Sequence, residues 1–316
     1  MTDSEKIELT GKIAKSMLSR LASCDICPRN CKANRLSNQK GYCGTTKELI
    51  IYSAFLHQGE EPAISGNIGS GTIFFSGCSL KCLYCQNHNF SQGLKGETIT
   101  IEDLAKVMLK LQSQGAHNIN LVTPTHFLSQ ILKTLHLALK AGLKIPIVYN
   151  TSGYEKESII KDLRGIVDIY LTDLKYTSPE TGDFFSQAPQ YHIFATKSIK
   201  EMYSQVGQAH WDSNLLKKGL IIRNLILPNY IGDSENALLW IKKNTPEALL
   251  SIMCQYQPYF LAKNFLPVNR KLTPFEYKKI KDLVEELGID GWLQEFPPKE
   301  DLAGVYFKPN IGDLLK

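Results

Sequence analysis

The chain has 316 residues, 43% of them hydrophobic, so it can bury a large core and does not have the composition of a disordered protein. A formal charge of +5 is too mild to demand nucleic acid, and no run of about 18 apolar residues marks a membrane span. Seven of the 8 cysteines fall between positions 24 and 85, and the first twenty residues lack a continuous apolar run; together these favour metal ligation in a reducing, cytoplasmic setting over disulfides.

Ile7, Ile13, Met17, Leu18 and Leu21 give the first segment the pattern of an amphipathic helix. Cys24, Cys27 and Cys31 follow in C-x-x-C-x-x-x-C spacing, with Cys43 beyond them and Pro28, Gly41 and Gly44 supplying turns. Four thiolates in so short a stretch suit a closed zinc site or a second iron–sulfur cluster, and the spacing accepts both. Glu60 and Glu61 read as solvated acids. The glycines between Gly66 and Gly71 lead into a strand and not from a strand into a helix, so they fail the dinucleotide-binding context. They read as a tight approach that lets the backbone come near the cysteines that follow.

Short apolar strands are predicted at Thr72–Ser76, Ile119–Thr123, Ile145–Asn150, Val167–Leu171, Leu220–Leu227 and Leu249–Gln255. Helical spacing appears between them in Leu104, Val107, Met108 and Leu111, in Leu128, Ile131, Leu132 and Leu135, and later in Ile280, Leu283, Val284 and Leu287. This rhythm predicts an α/β fold of parallel strands covered by helices, either a partial (β/α)6 TIM-like barrel with an N-terminal cysteine-rich extension or a doubly wound sheet. Either layout puts active residues just past the carboxyl ends of the strands. The expected organisation is a helix and metal knuckle over 1–69, a core over 70–260, and a C-terminal helix and tail over 261–316. Trp292, Phe296 and Phe307 are expected to close the open edge.

Cys78, Cys82 and Cys85 stand in C-x-x-x-C-x-x-C spacing directly after the first predicted strand, through Gly77. Three thiolates can hold three irons of a four-iron cluster and leave the fourth without a protein ligand. The plainer alternative is a zinc knuckle completed by His88.

This loop, with Tyr84 before its last cysteine, resembles the radical S-adenosylmethionine (SAM) superfamily. The resemblance extends through Glu60-Glu61-Pro62, the run from Gly69 to Gly77, Cys85-Gln86-Asn87, the runs Val122 to His126 and Tyr149 to Tyr154, Asp173-Leu174-Lys175-Tyr176 and Gln255-Tyr256. Within the superfamily it is similar to the subgroup called pyruvate formate-lyase activating enzyme-like. The resemblance implies a [4Fe-4S] cluster on Cys78, Cys82 and Cys85, with SAM chelating the open iron. It implies reductive cleavage of SAM to a 5′-deoxyadenosyl radical that takes hydrogen from a substrate. That substrate is either a glycine of a partner enzyme, as in glycyl-radical activation, or a small molecule or peptide. Flavodoxin or ferredoxin is the implied electron donor, and nucleic acid and membrane are not implied partners.

By the same resemblance Tyr84 lies near adenine, and Asn150 and Ser152 meet the ribose or carboxylate of SAM. The resemblance also implies that Asp173 and Lys175 meet the polar groups of SAM; Arg223, a cation inside an apolar strand, wants an anion such as a carboxylate of SAM or substrate. The chain lacks the Gly-Gly-Glu motif common after the second strand, so Thr123 or Thr125 must serve the SAM amino group. Each of these residues also has a structural reading: a packed tyrosine, a helix cap, an ion pair. His126 reads as a helix cap or a proton donor, and Cys254 as an inert buried thiol. A non-catalytic zinc-binding interaction module is the competing reading from another class.

Overall fold

The structure, a computed structural model, describes residues 2–298 and 304–315. Ten strands occur among them: β1 (Leu49–His57), β2 (Ser70–Phe75), β3 (Glu97–Ile99), β4 (Ile119–Val122), β5 (Ile147–Thr151), β6 (Ile169–Asp173), β7 (His210–Asp212), β8 (Leu215–Leu225), β9 (Leu249–Met253) and β10 (Gly291–Leu293). Their order is β10-β9-β8-β6-β5-β4-β2-β1-β3, with β7 pairing on β8. Strands β2, β4, β5, β6, β8, β9 and β10 run parallel to their neighbours in that order. Every residue of β2, β4, β5 and β6 is buried, which is why their sequences show no alternation. The fold is α/β with a mostly parallel sheet, a partial TIM-like barrel.

All six predicted strands are present. The helix Ile101–Ser113 buries Leu104, Val107, Met108 and Leu111, and the helix Leu128–Lys140 buries Leu128, Ile131, Leu132 and Leu135. Thr100 starts the first of these by accepting the Asp103 N–H at 3.0 Å. The helix Asp3–Ser19 packs on Leu128–Lys140, and Gly11 leaves the room that the His136 ring needs. It also reaches the sheet, where Lys6 Nζ meets Asp168 at 2.8 Å. Leu18 departs from the predicted apolar stripe and is exposed. The helix Pro274–Leu287 opens on a reciprocal Thr273–Glu276 capping box with Pro274 in its first turn.

Two features differ from the sequence reading. First, β1 and β3 extend the sheet antiparallel beyond β2, and β10 extends it beyond β9. The sheet therefore draws on residues before 70 and after 260. Second, the glycine run meets the neighbouring strand's approach, not the cysteines. A Cβ on Gly71 would fall 2.7 Å from the Asn118 carbonyl oxygen, at the amino end of β2. All eight cysteines are free. Among the described residues no helix is long and apolar enough to cross a membrane.

Candidate active site

The carboxyl end of β2 turns at Gly77, whose φ is +88°. A Cβ there would lie 2.7 Å from Thr45 Cγ2 and 2.9 Å from the Cys43 carbonyl oxygen, so only glycine fits both the turn and the packing. Cys78 follows at once. The loop is then tied to the segment after β6, where Lys81 N–H donates to the Ser186 carbonyl at 3.0 Å and Leu83 N–H to that of Phe185 at 2.8 Å. Arg29 Nε adds a bond to the Ser79 carbonyl at 2.6 Å and joins the N-terminal knuckle to the same loop.

Each of the three loop thiols has a polar neighbour. Leu80 N–H points at Cys78 Sγ (3.3 Å), Ser186 Oγ lies 2.9 Å from Cys82 Sγ, and Ser91 Oγ lies 3.2 Å from Cys85 Sγ. Hydrogen bonds to sulfur are one lever on the potential of an iron–sulfur centre. Burial pushes the Cys78 thiol up to about 12 and that of Cys85 up to about 11. Burial also raises Cys82, against the pull of Lys175. As free groups all three keep their protons, so a metal that binds here must displace them.

One cavity of about 190 Å³ is lined by Cys78, Cys82 and Cys85 together with Tyr84, Thr123, Asn150, Ser152, Asp173, Lys175 and Arg223. Every loop thiol and every cofactor-binding residue expected from the sequence except Thr125 therefore lines the same space. The strand ends explain the convergence: Thr123 follows β4, Asn150 lies in β5, Asp173 closes β6, and Arg223 lies opposite Asp173 on β8. Thr123 has φ +57°, a strained conformation for a β-branched residue.

The charged groups are paired across the cavity wall. Lys175 Nζ lies 2.5 Å from Asp173 Oδ2, and Arg223 Nε lies 3.1 Å from Asp173 Oδ1. Arg223 Nη2 donates to Asn150 Oδ1 at 2.6 Å, and its Nη1 lies 3.4 Å from Glu60. Burial alone would raise the Asp173 carboxyl, but Lys175 and Arg223 outweigh it and hold the group below the ordinary range. Burial lowers the Arg223 guanidinium, and Asp173, Glu61 and Glu60 reverse that and raise it.

The other expected residues fall as follows. Tyr84 is buried, shares a hydrogen bond with the Tyr176 hydroxyl and packs edge-on against Phe185 and Tyr256. His126 does not cap a helix: its Nε2 bonds the Ser76 carbonyl at 2.7 Å, joining the ends of β4 and β2. Burial lowers it to about 3, so it is neutral at physiological pH and holds no proton to give as a cation. Thr125 donates to the buried carboxyl of Glu155, and Cys254 is buried under the carbonyls of Gln294 and Glu295.

The N-terminal thiols form a separate group. Cys24 and Cys43 are buried, Cys27 is half-buried and Cys31 is exposed. The Sγ atoms of Cys31 and Cys43 would each stand 3.4 Å from a Cβ on Gly41, so that glycine lies between them. Burial pushes Cys27 up to about 12, with Cys43 and Cys24 adding to the effect. Under this group the fully buried Arg35 donates to Thr45 Oγ1 at 3.0 Å and the Thr46 carbonyl at 2.6 Å, with Nη1 3.8 Å from Cys24 Sγ. Among the described residues, no three His, Cys, Asp or Glu side chains converge on a single point as one ion would require.

Glu60 and Glu61 correct the sequence reading. They are not solvated: their side chains are 9% and 7% exposed, and both lie against Arg223. Two adjacent acids before a proline carry no local sign of this, because their partner is on β8.

A pattern for the radical SAM superfamily matches residues 72–202. The uncharacterised protein MJ0674 of Methanocaldococcus jannaschii is 33% identical over 295 residues, covering 90% of this chain and 80% of that protein. Residues 72–202 of the chain are a radical SAM domain. Among solved structures it is similar to Streptococcus suis SuiB bound to the precursor peptide SuiA, with TM-score 0.47, 14% identity, and coverage of 66% of this chain and 43% of that one. It is also similar to the FeFe-hydrogenase maturase HydG from Carboxydothermus hydrogenoformans, with TM-score 0.48, 16% identity, and coverage of 75% and 53%. The chain spans about half the length of these solved structures. Radical SAM proteins use a [4Fe-4S] cluster and SAM. The donor set here fits that pair: three thiols on one wall, and carboxylate, ammonium, guanidinium and amide groups on the strand ends opposite.

Proposed function

We propose that the protein holds a [4Fe-4S] cluster on Cys78, Cys82 and Cys85 and cleaves SAM reductively to start a hydrogen abstraction. The supporting observation is the single cavity that joins these thiols to the polar strand ends. When bound, the cluster and SAM together supply a radical able to take a hydrogen atom from carbon. The chain's own side chains do the rest. Lys175 and Arg223 present cations to a carboxylate, while Asp173 keeps both in place and stays ionised. Asn150 and Ser152 offer hydrogen-bonding groups to hydroxyls, and Thr123 offers its hydroxyl and its strained backbone to an amine. Tyr84, fixed by Tyr176, gives the cavity a rigid aromatic side.

A further chamber of about 370 Å³ continues from this cavity and shares Asn150, Arg223 and Gln255 with it. Its size and its buried ionic wall support a small molecule or a peptide side chain as substrate. Glycyl-radical activation of a partner enzyme is supported by the subgroup resemblance alone. The N-terminal thiols are assigned a zinc ion or a second cluster, and a flavodoxin or ferredoxin is assigned as electron donor. The division into a knuckle over 1–69, a core over 70–260 and a closing tail over 261–316 is retained as a functional one, although one sheet runs through it.

The test is anaerobic reconstitution with iron and sulfide, then reduction in the presence of SAM. The expected product is 5′-deoxyadenosine, measured chromatographically, from brown protein. A colourless protein that binds only zinc and releases no 5′-deoxyadenosine would instead support the interaction module.

A further inference from the structure

The larger chamber has an acidic wall with one oxygen left over. Glu60 is satisfied: Asn120 Nδ2 donates to its Oε1 at 3.0 Å and Arg223 Nη1 lies 3.4 Å from its Oε2. Glu61 is not. Its nearest cation is Arg223 Nε at 4.0 Å, beyond a hydrogen bond, and its Oε2 is buried with no hydrogen-bond partner among the described residues. The Ser251 side chain and the N–H of Glu61 itself lie near this carboxyl and favour its charged form, but by less than burial opposes it. A buried carboxyl oxygen with no donor is costly to keep, and here it stands on the wall of a cavity a ligand can enter.

The charges point the same way. Glu60, Glu61 and Asp173 are three carboxylates, and the cations among them are Arg223 and Lys175. Lys175 is paired with Asp173, and Arg223 is divided among all three acids and Asn150. His57 on the same wall is held down by burial against the pull of Glu61, and burial raises both Glu60 and Glu61, so the wall is short of cationic partners. Phe74, Phe307 and Trp292 give the chamber an apolar side suited to a carbon chain.

We propose that this chamber takes a substrate bearing a cationic nitrogen donor, a primary ammonium or a guanidinium, which Glu61 Oε2 accepts. The assignment deepens the function proposed above by naming the substrate class, and it rests on that reading only for what happens after binding. Glu61 is here a specificity residue: burial raises its carboxyl against the pull of Arg223, and a bound cation would favour its charged form.

The experiment is calorimetric titration of the reconstituted protein, with and without SAM, using n-butylammonium, n-butylguanidinium, n-butanol and butyrate. The two cations are expected to bind and the other two to give no heat of binding. Glu61→Gln should weaken cation binding about tenfold or more, the size of one charge-assisted hydrogen bond, and Glu61→Asp should retain part of it. Butyrate or butanol binding as tightly as butylammonium would overturn the proposal, as would unchanged cation binding in Glu61→Gln. A loss of SAM affinity in that variant with cation binding intact would move the carboxyl to the SAM end and also overturn it. Should the variant fail to fold, the four probes on the unaltered protein decide alone. Binding is read as heat, so absence of 5′-deoxyadenosine would sink the function proposed above without obscuring this result.

Discussion

The N-terminal thiols and the loop thiols are the same chemical group in two different settings. Cys24, Cys27, Cys31 and Cys43 are four; Gly41 lies between Cys31 and Cys43, and the buried Arg35 reaches Cys24. Cys78, Cys82 and Cys85 are three, each with one polar neighbour, and they face a cavity whose far wall is made of strand ends. Four donors saturate a metal centre, whereas three leave a position for something else to bind. Under the proposed function, what separates the structural from the reactive thiol set is the missing fourth ligand and the space in front of it. The thiols themselves do not differ in kind, since burial raises Cys27 and Cys78 alike to about 12.

That contrast can be broken most sharply by paired substitutions. Cys82→Ala should bring 5′-deoxyadenosine release down to background while the protein stays folded. With the metal proposed for the N-terminal set, Cys27→Ala should lose it, keep the iron proposed for the loop set and melt at a lower temperature, because a structural metal contributes folding free energy directly. Metal analysis with circular dichroism reads both. If Cys82→Ala still released the nucleoside at the normal rate, the two sets would have to exchange roles.

The polar wall opposite the loop thiols gives a second, smaller effect. Arg223→Met leaves Glu60, Glu61 and Asp173 without their shared cation. Removing one partner from a buried ionic group costs about 3–5 kcal/mol, so the variant should unfold at markedly lower urea. It should also bind SAM more weakly, as equilibrium dialysis would show. No comparable wall exists for the N-terminal thiols, where Arg35 is held by Thr45 and Thr46.

The smallest effect lies far from both sets. Glu276 is held down to about 2, by Arg270 first and then by the N–H groups of Thr273 and Asn229 working against burial. A carboxyl depressed in the folded state stabilises above its unfolded value of about 4.3, and that contribution is lost as pH falls towards about 2. Arg270 is 37% exposed, so solvent screens the pair, and about 1–2 kcal/mol is expected. Glu276→Gln should lower the melting temperature at neutral pH and lose the part of the acid transition between pH 4 and 2, with both thiol sets keeping their metal. A variant that lost either metal would show that the C-terminal helix reaches the site.

Much of this was legible in the sequence because the relevant signals are local. Cys78, Cys82 and Cys85 are read from spacing, and β4 and β6 from runs such as Ile119–Val122 that are buried on both faces. Asp173 and Asn150 follow from the rule that strand ends carry function, and Arg223 from a cation inside an apolar strand that needs an anion; the three line one cavity. What escaped has a physical reason in each case. The strand β1 lies between a cysteine-rich loop and a turn, and its six buried and three half-buried residues do not alternate. The strand β10 is three residues long, too short for any period. Glu60 and Glu61 are given their setting by Arg223, and Arg223 is 163 positions away from Glu60.

The tail supplies a last consequence. Tyr52 donates to the Phe307 carbonyl at 2.7 Å, and Asn310 bonds both the N–H and the carbonyl of Ala54. The outermost part of the chamber is thus closed by residues that lie 255 and 256 positions along the chain from the strand they bond, so its outer wall exists only once these two distant segments have met.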